Sequence, residues 1–318
     1  MGATGSPVRQ KGGDMFRYIT PLLLLGACVG SPPVNSAWRD AVPAVSVFVV
    51  AHQDDWQLFM SPVAFHAMDE PGEKAVFIHV TAGDAGRGVT GEPVPYYKAR
   101  EEGALRAVRF MANAGDKPGL GAPMEWSAAE RAGHLVQRVV YANAVVYFLR
   151  LPDGRGLEGT GYEGTGFQSL QRLMSGEIQT IEAIDGSARY GGWADLQNTL
   201  RDIIETEREA GKALSIHITE PDPAFNPTEH SDHRHTALAV QGLLPRFPCA
   251  AVYRYDTYDI RNRPMNLEGD DLLINVGIWG ATTSGLADNH APSTWEPGHT
   301  QWLGRLYYRS TPAEGACD

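Results

Sequence analysis

The sequence predicts an α/β protein, a Rossmann-like three-layer sandwich whose mostly parallel sheet is covered by helices on both faces. Two patterns lead there. Short apolar, β-branched runs recur along the chain, and segments with helical apolar spacing alternate with them. The runs are continuous rather than alternating, as strands buried on both faces are. With 43% of its 318 residues hydrophobic, the chain can fill a sizeable core.

The first strand is residues 45–51 (VSVFVVA), followed by 75–81, 144–149 and 214–219, and residues 250–255 extend the sheet. Between them, residues 98–114 place Leu105, Val108 and Met111 on one helical face. Trp193, Leu196, Leu200 and Ile203 do the same ahead of Gly211, and Ala237, Val240 and Leu244 align within residues 234–244. Two stretches break the rhythm. Residues 151–190 carry Gly154, Gly156, Gly159, Gly161, Gly164 and Gly166 and read as a Gly-rich insertion near the strand ends. Residues 265–308 are Trp-rich and ambiguous between strand and loop, an irregular C-terminal extension.

The start of the chain reads as an export signal. Arg17 precedes an apolar run to Leu25, and Gly26 and Ala27 follow before Cys28. The run is too short for a permanent span. Residues 1–27 are therefore expected to be a signal peptide, 28–43 a tether and 44–318 a single domain. The L-G-A-C ending resembles a bacterial lipobox, which makes Cys28 the expected lipid anchor and the only membrane contact. Plain secretory cleavage nearby is the alternative. The expected location is the periplasm or cell envelope. Export permits disulfides, and Cys249 and Cys317 remain as an even pair. A net charge of −11 argues against nucleic acid as a partner, because duplex binding needs clustered Lys and Arg. TAGDAGRG lacks both G-x-G-x-x-G spacing and a G-K-[ST] ending, which discounts nucleotides. Nothing in the sequence addresses oligomeric state.

The chemistry gathers at two strand ends. The first strand runs into Ala51-His52-Gln53-Asp54-Asp55, and the strand at Leu214 leads through a Pro-punctuated loop to His230-Ser231-Asp232-His233, just before a helix. Carboxyl ends of strands are where open α/β sheets bind ligands. A His, Asp, His set suits a catalytic zinc that keeps one position for water. Adjacent residues on extended backbone point opposite ways, so Asp54 and Asp55 should differ in role, one on the metal and one reaching its water. Zinc lowers the pKa of that water from about 15.7 to about 7, and a second imidazole beside the metal can stabilise a tetrahedral oxyanion. The implied reaction is hydrolysis of an acyl group.

These residues also carry a resemblance. AHQDD resembles the A-H-P-D-D-E motif of the PIG-L/LmbE family of zinc-dependent N-acetylglucosaminyl deacetylases, and HSDH resembles its H-x-D-H motif. TAGDAG (81–86), REE (100–102) and LPDG (151–154) follow in the family's order, over roughly residues 45–244. The resemblance implies His52, Asp55 and His233 as metal ligands and Asp54 as general base. It implies His230 as oxyanion stabiliser and acid, with Asp232 orienting it. Zn²⁺ is the implied ion, although such a shell accepts other divalent metals, and the implied substrate is an N-acetylated sugar or glycan. Gln53 stands where the family has Pro, and Trp56 where it has an acidic residue.

Arg87, Asp153 and Trp56 are the expected substrate contacts, Trp56 by stacking on a sugar face. Two alternatives remain: a metal-dependent O-deacetylase on a glycan, and a non-catalytic carbohydrate-binding lipoprotein suggested by Trp56 and the Trp-rich C-terminal third.

Overall fold

The computed structural model describes residues 44–115, 121–210 and 212–312. The expected signal peptide, the anchor at Cys28, the tether and Cys317 lie outside them. Cys249 is buried and disulfide-bonded. Among the described residues no helix is long and apolar enough to cross a membrane.

In chain order the elements are β1 (Ala44–Val50), α1 (Asp55–Phe59), α2 (Ser61–Asp69), β2 (Lys74–Thr81) and α3 (Tyr96–Ala114). Then come β3 (Glu125–Arg131), β4 (His134–Tyr141), β5 (Ala144–Leu151), α4 (Leu170–Ser175), β6 (Ile181–Glu182) and β7 (Arg189–Tyr190). The chain continues through α5 (Trp193–Glu207), β8 (Ala213–Thr219), α6 (Ser231–Gln241), β9 (Ala250–Tyr255), α7 (Gly269–Asp288), α8 (Pro297–Thr300) and β10 (Tyr308–Thr311).

Eight strands form one sheet in the order β10-β9-β8-β1-β2-β5-β4-β3, and β6 pairs with β7 in a small hairpin. The five central strands, β9 to β5, are parallel; the edges β10 and β4-β3 are antiparallel. Period-2 alternation divides β1 between two cores. Val45, Val47 and Val49 pack under α4, α5 and α6, while Phe48 and Val50 pack under α1, α2, α3 and α7. The fold is thus the expected three-layer α/β sandwich.

Two regions differ from the sequence expectation. The C-terminal extension contains the 20-residue helix α7. Its core face carries Ile278, Trp279, Thr282 and Leu286, all buried. Secondly, residues 125–141 form the β3–β4 hairpin, whose outer strand is mostly exposed.

Helices α3 and α7 touch backbone to backbone. A Cβ on Gly285 would lie 2.5 Å from Gly103 Cα, and one on Gly103 would lie 2.7 Å from Thr282 O. Such a contact has no space for a side chain. Gly103→Val should therefore destabilise the protein by about 1–3 kcal/mol through overpacking. An unchanged denaturation midpoint in urea would show that the helices do not need this close approach.

Candidate active site

Strand β1 lies between β2 and β8, and its exit leads to α1 on one face while the exit of β8 leads to α6 on the other. The crevice between such diverging connections is where doubly wound sheets bind ligands. His52 and Asp55 stand on one side of it, and His230 to His233 on the other.

Three donor atoms converge there. His52 Nδ1 and His233 Nε2 are 3.0 Å apart. Asp55 Oδ1 lies 3.0 Å from His233 Nε2 and 3.5 Å from His52 Nδ1. The other oxygen, Asp55 Oδ2, accepts the backbone N–H of His52 at 2.7 Å, which turns Oδ1 inward. Donors bonded to one zinc at about 2.0–2.1 Å in tetrahedral arrangement stand roughly 3.3 Å from one another, so this set fits a divalent ion.

The electrostatics agree. Burial would push the His52 pKa down, yet Asp55 and Asp232 hold it well above its ordinary value. His233 is likewise pulled up against burial, to about 10, by the carboxylates of Asp55 and Glu229. Burial favours a neutral Asp55, but His233 and His52 hold its carboxyl well below the usual range. A cluster that stabilises positive charge at its centre is what a cation needs.

Each imidazole of this cluster is braced from behind. His233 Nδ1 is 2.6 Å from Glu229 Oε1, and Glu229 Oε2 accepts from Asn226 at 2.9 Å and from the Thr257 hydroxyl. His52 Nε2 is 3.3 Å from Asp232 Oδ2, which also accepts the Gly154 N–H at 2.7 Å. A carboxylate on the far ring nitrogen fixes the orientation of a metal-binding histidine. Gly154, the glycine of LPDG, is required here because a Cβ would collide with Asp232 Oδ1.

The role expected of Asp232 changes accordingly. Its carboxylate is 3.9 Å from His230 Nδ1 and closer to His52. It is the backbone N–H of Asp232 that orients His230, donating to its Nδ1 at 3.1 Å. His230 is the N-cap of α6. Burial, with His52 and His233 nearby, lowers its pKa to about 4, so the ring is neutral at pH 7. With Nδ1 accepting, the proton sits on Nε2, 4.0 Å from Asp153 Oδ1. His230 so held presents an Nε2–H donor.

Asp54 and Asp55 do diverge, though not by the alternation of a strand. Asp54 is the N-cap of α1 with φ −112° and ψ −6°, so the two carboxylates separate by the turn of a helix. Arg100, from the REE stretch on α3, donates to Asp54 Oδ1 and, at 3.0 Å, to the carbonyl of Gly83. Burial would raise the Asp54 pKa, but the Arg100 guanidinium outweighs it and the carboxyl is lowered.

His52, Asp54, Asp55, Arg100, Asp153 and His230 share one cavity of about 150 Å³. Its lining also includes Tyr258, His299 and Trp302. Asp153 thus lies where expected. Trp56 does not: it is 0% exposed and packed against Phe77, with ring centroids 4.6 Å apart, so no ligand can stack on it. An apolar side chain one step into α1 faces the sheet, not the crevice. Arg87 is exposed outside the cavity, its guanidinium 4.4 Å from the Tyr96 ring centroid. Sequence reasoning missed Glu229, Arg100, Tyr258 and Trp302, and gave His299 no role beyond one of two histidines that could line the site. Only Glu229, four residues before His233 on the same turn, and Arg100, inside a quoted motif, carried a signal.

The family model described as PIG-L, GlcNAc-PI de-N-acetylase, matches residues 47–244. No curated protein matches the sequence. Among solved structures, the chain is similar to the N,N'-diacetylchitobiose deacetylase from Pyrococcus horikoshii complexed with its inhibitor MPG. The identity is 15%, coverage is 87% of this chain and 86% of that one, and the TM-score is 0.44. The matched segment spans more than half of the chain and contains His52, Asp54, Asp55, His230, Asp232 and His233, and the chain belongs to the PIG-L family.

Proposed function

We propose that the protein is a zinc-dependent deacetylase that hydrolyses the N-acetyl group of an amino sugar or glycan. The observation that carries this reading is the convergence of His52 Nδ1, Asp55 Oδ1 and His233 Nε2 within 3.0–3.5 Å, with Asp54 and His230 lining the same cavity. The family's description supplies the substrate class. Export with a lipid anchor at Cys28 belongs to the proposal on the strength of residues 15–28 alone.

His52, Asp55 and His233 would hold the ion. When bound, it supplies polarisation of the acyl oxygen and a water of lowered pKa. The protein's own groups do the rest. Asp54, ionised and held in place by Arg100, takes a proton from the attacking water. His230 donates its Nε2–H to the oxyanion that forms at the acyl carbon. As the C–N bond breaks, the proton on Asp54 passes to the departing nitrogen, giving acetate and a free amine. Arg100 keeps Asp54 a weak base, which eases the return of the proton.

Four sets of measurements test this reading. Asp54→Asn should lower kcat by about 10²–10⁴-fold while metal content, read by elemental analysis, stays at the wild-type level. Undiminished acetate release would remove Asp54 from the mechanism. Chelation should abolish activity, with zinc restoring it, and His52→Ala or His233→Ala should purify without metal; full activity in chelator would sink the metal proposal. Asp232→Ala and Glu229→Ala, which leave all three ligands in place, should each weaken metal binding by about 10–100-fold in competition titrations. Matched N- and O-acetylated glycans separate amide from ester hydrolysis.

A further inference from the structure

The cavity has a wall that the family-matched segment does not supply. Tyr258, His299 and Trp302 all lie beyond residue 244 and line the same cavity of about 150 Å³ as the ligand and base residues. The aromatic part is fixed. Tyr258 and Trp302 are stacked with centroids 4.9 Å apart and planes at 17°, and Trp302 Nε1 donates to the Tyr258 carbonyl at 3.0 Å.

His299 is fixed as well, by three different contacts. Its Nδ1 bonds the Glu296 carboxylate. Its ring lies against Trp279, which is fully buried, with centroids 5.6 Å apart and planes at 22°. Its edge meets Trp302 at 5.9 Å. His299 stands on a four-residue helix, and its side chain is still 32% exposed. Among the described residues nothing bonds its Nε2. His299 lines the same cavity as Asp54, His230 and Asp153.

We infer that His299 is a substrate-positioning residue. With Nδ1–H donating to Glu296, Nε2 is the ring's remaining polar atom, and it takes a hydrogen bond from a hydroxyl of the substrate while Trp302 covers the ring that carries it. A few oriented polar groups set against aromatic surface are the usual make-up of a small-molecule site. The ligand so recognised is a hydroxylated ring beside an N-acyl amine. The inference rests on the deacetylase reading and adds to it the group that reads the sugar.

The test uses His299→Leu, which removes the acceptor, and His299→Gln, whose amide oxygen can replace it. N-Acetylglucosamine is the substrate, and glucosamine binding is measured in parallel by calorimetry. His299→Leu should raise KM about 5–10-fold with kcat within about twofold, weaken glucosamine binding by a similar factor and keep wild-type metal content. His299→Gln should recover most of both losses. Wild-type KM and glucosamine affinity in His299→Leu would overturn the assignment, as would a loss confined to kcat or to metal content. Wild-type protein that binds glucosamine, loses it on His299→Leu, and yet releases no acetate would instead overturn the deacetylase reading and leave the subsite standing.

Discussion

The site depends on how Asp55 divides its two oxygens. Oδ2 closes the turn after β1 by accepting the His52 backbone N–H, and Oδ1 then has one place to go, between two imidazole nitrogens. A buried carboxylate is costly unless it is paired. Here Asp55, Glu229 and Asp232 are all buried around two histidines, and together they require positive charge at the centre. A divalent cation meets that requirement while leaving both rings in the neutral form that ligates. The same carboxylates that make the cluster unfavourable by itself hold the imidazoles in the orientation an ion uses.

The convergence of His52, Asp55 and His233 was legible because each lies in a short local pattern at a strand end or helix start, where backbone direction decides what faces the crevice. The strands β1, β2, β5 and β8 were legible because parallel strands buried on both faces read as unbroken apolar runs. The partner of Asp232 was not legible. Its side chain lies between two rings, and which one it meets depends on Gly154 arriving from a different strand with its N–H aimed at the same oxygen. The burial of Trp56 escaped for a related reason: whether the residue after Asp55 faces sheet or solvent depends on the chain turning at once into α1, and two carboxylates in a row do not reveal that.

Helix α7 was hidden by its composition. Gly277, Gly280, Gly285, Thr282 and Thr283 all lower helix propensity. Tertiary packing overrides it, since the same small residues let α7 approach α3 to backbone contact. Gly285 meets Gly103, and Gly277 leaves room for the Phe110 ring. Residues that weaken the isolated helix are those that fit it to its neighbour, and single-sequence reasoning sees only the first effect.

That interface ties the C-terminal extension to the chemistry. Gly103 sits one turn along α3 from Arg100, the residue that clamps Asp54 to the loop after β2. Trp279, on the α7 that Gly103 touches, is the surface against which His299 rests. The position of α7 therefore bears on two parts of the cavity lining at once, the guanidinium of Arg100 on Asp54 and the imidazole of His299. A helix held at van der Waals distance by two glycines has little freedom to slide. Close packing far from the ligands, in a region whose sequence reads as irregular, is thus what keeps Asp54 and His299 in register with the three residues that would hold the ion.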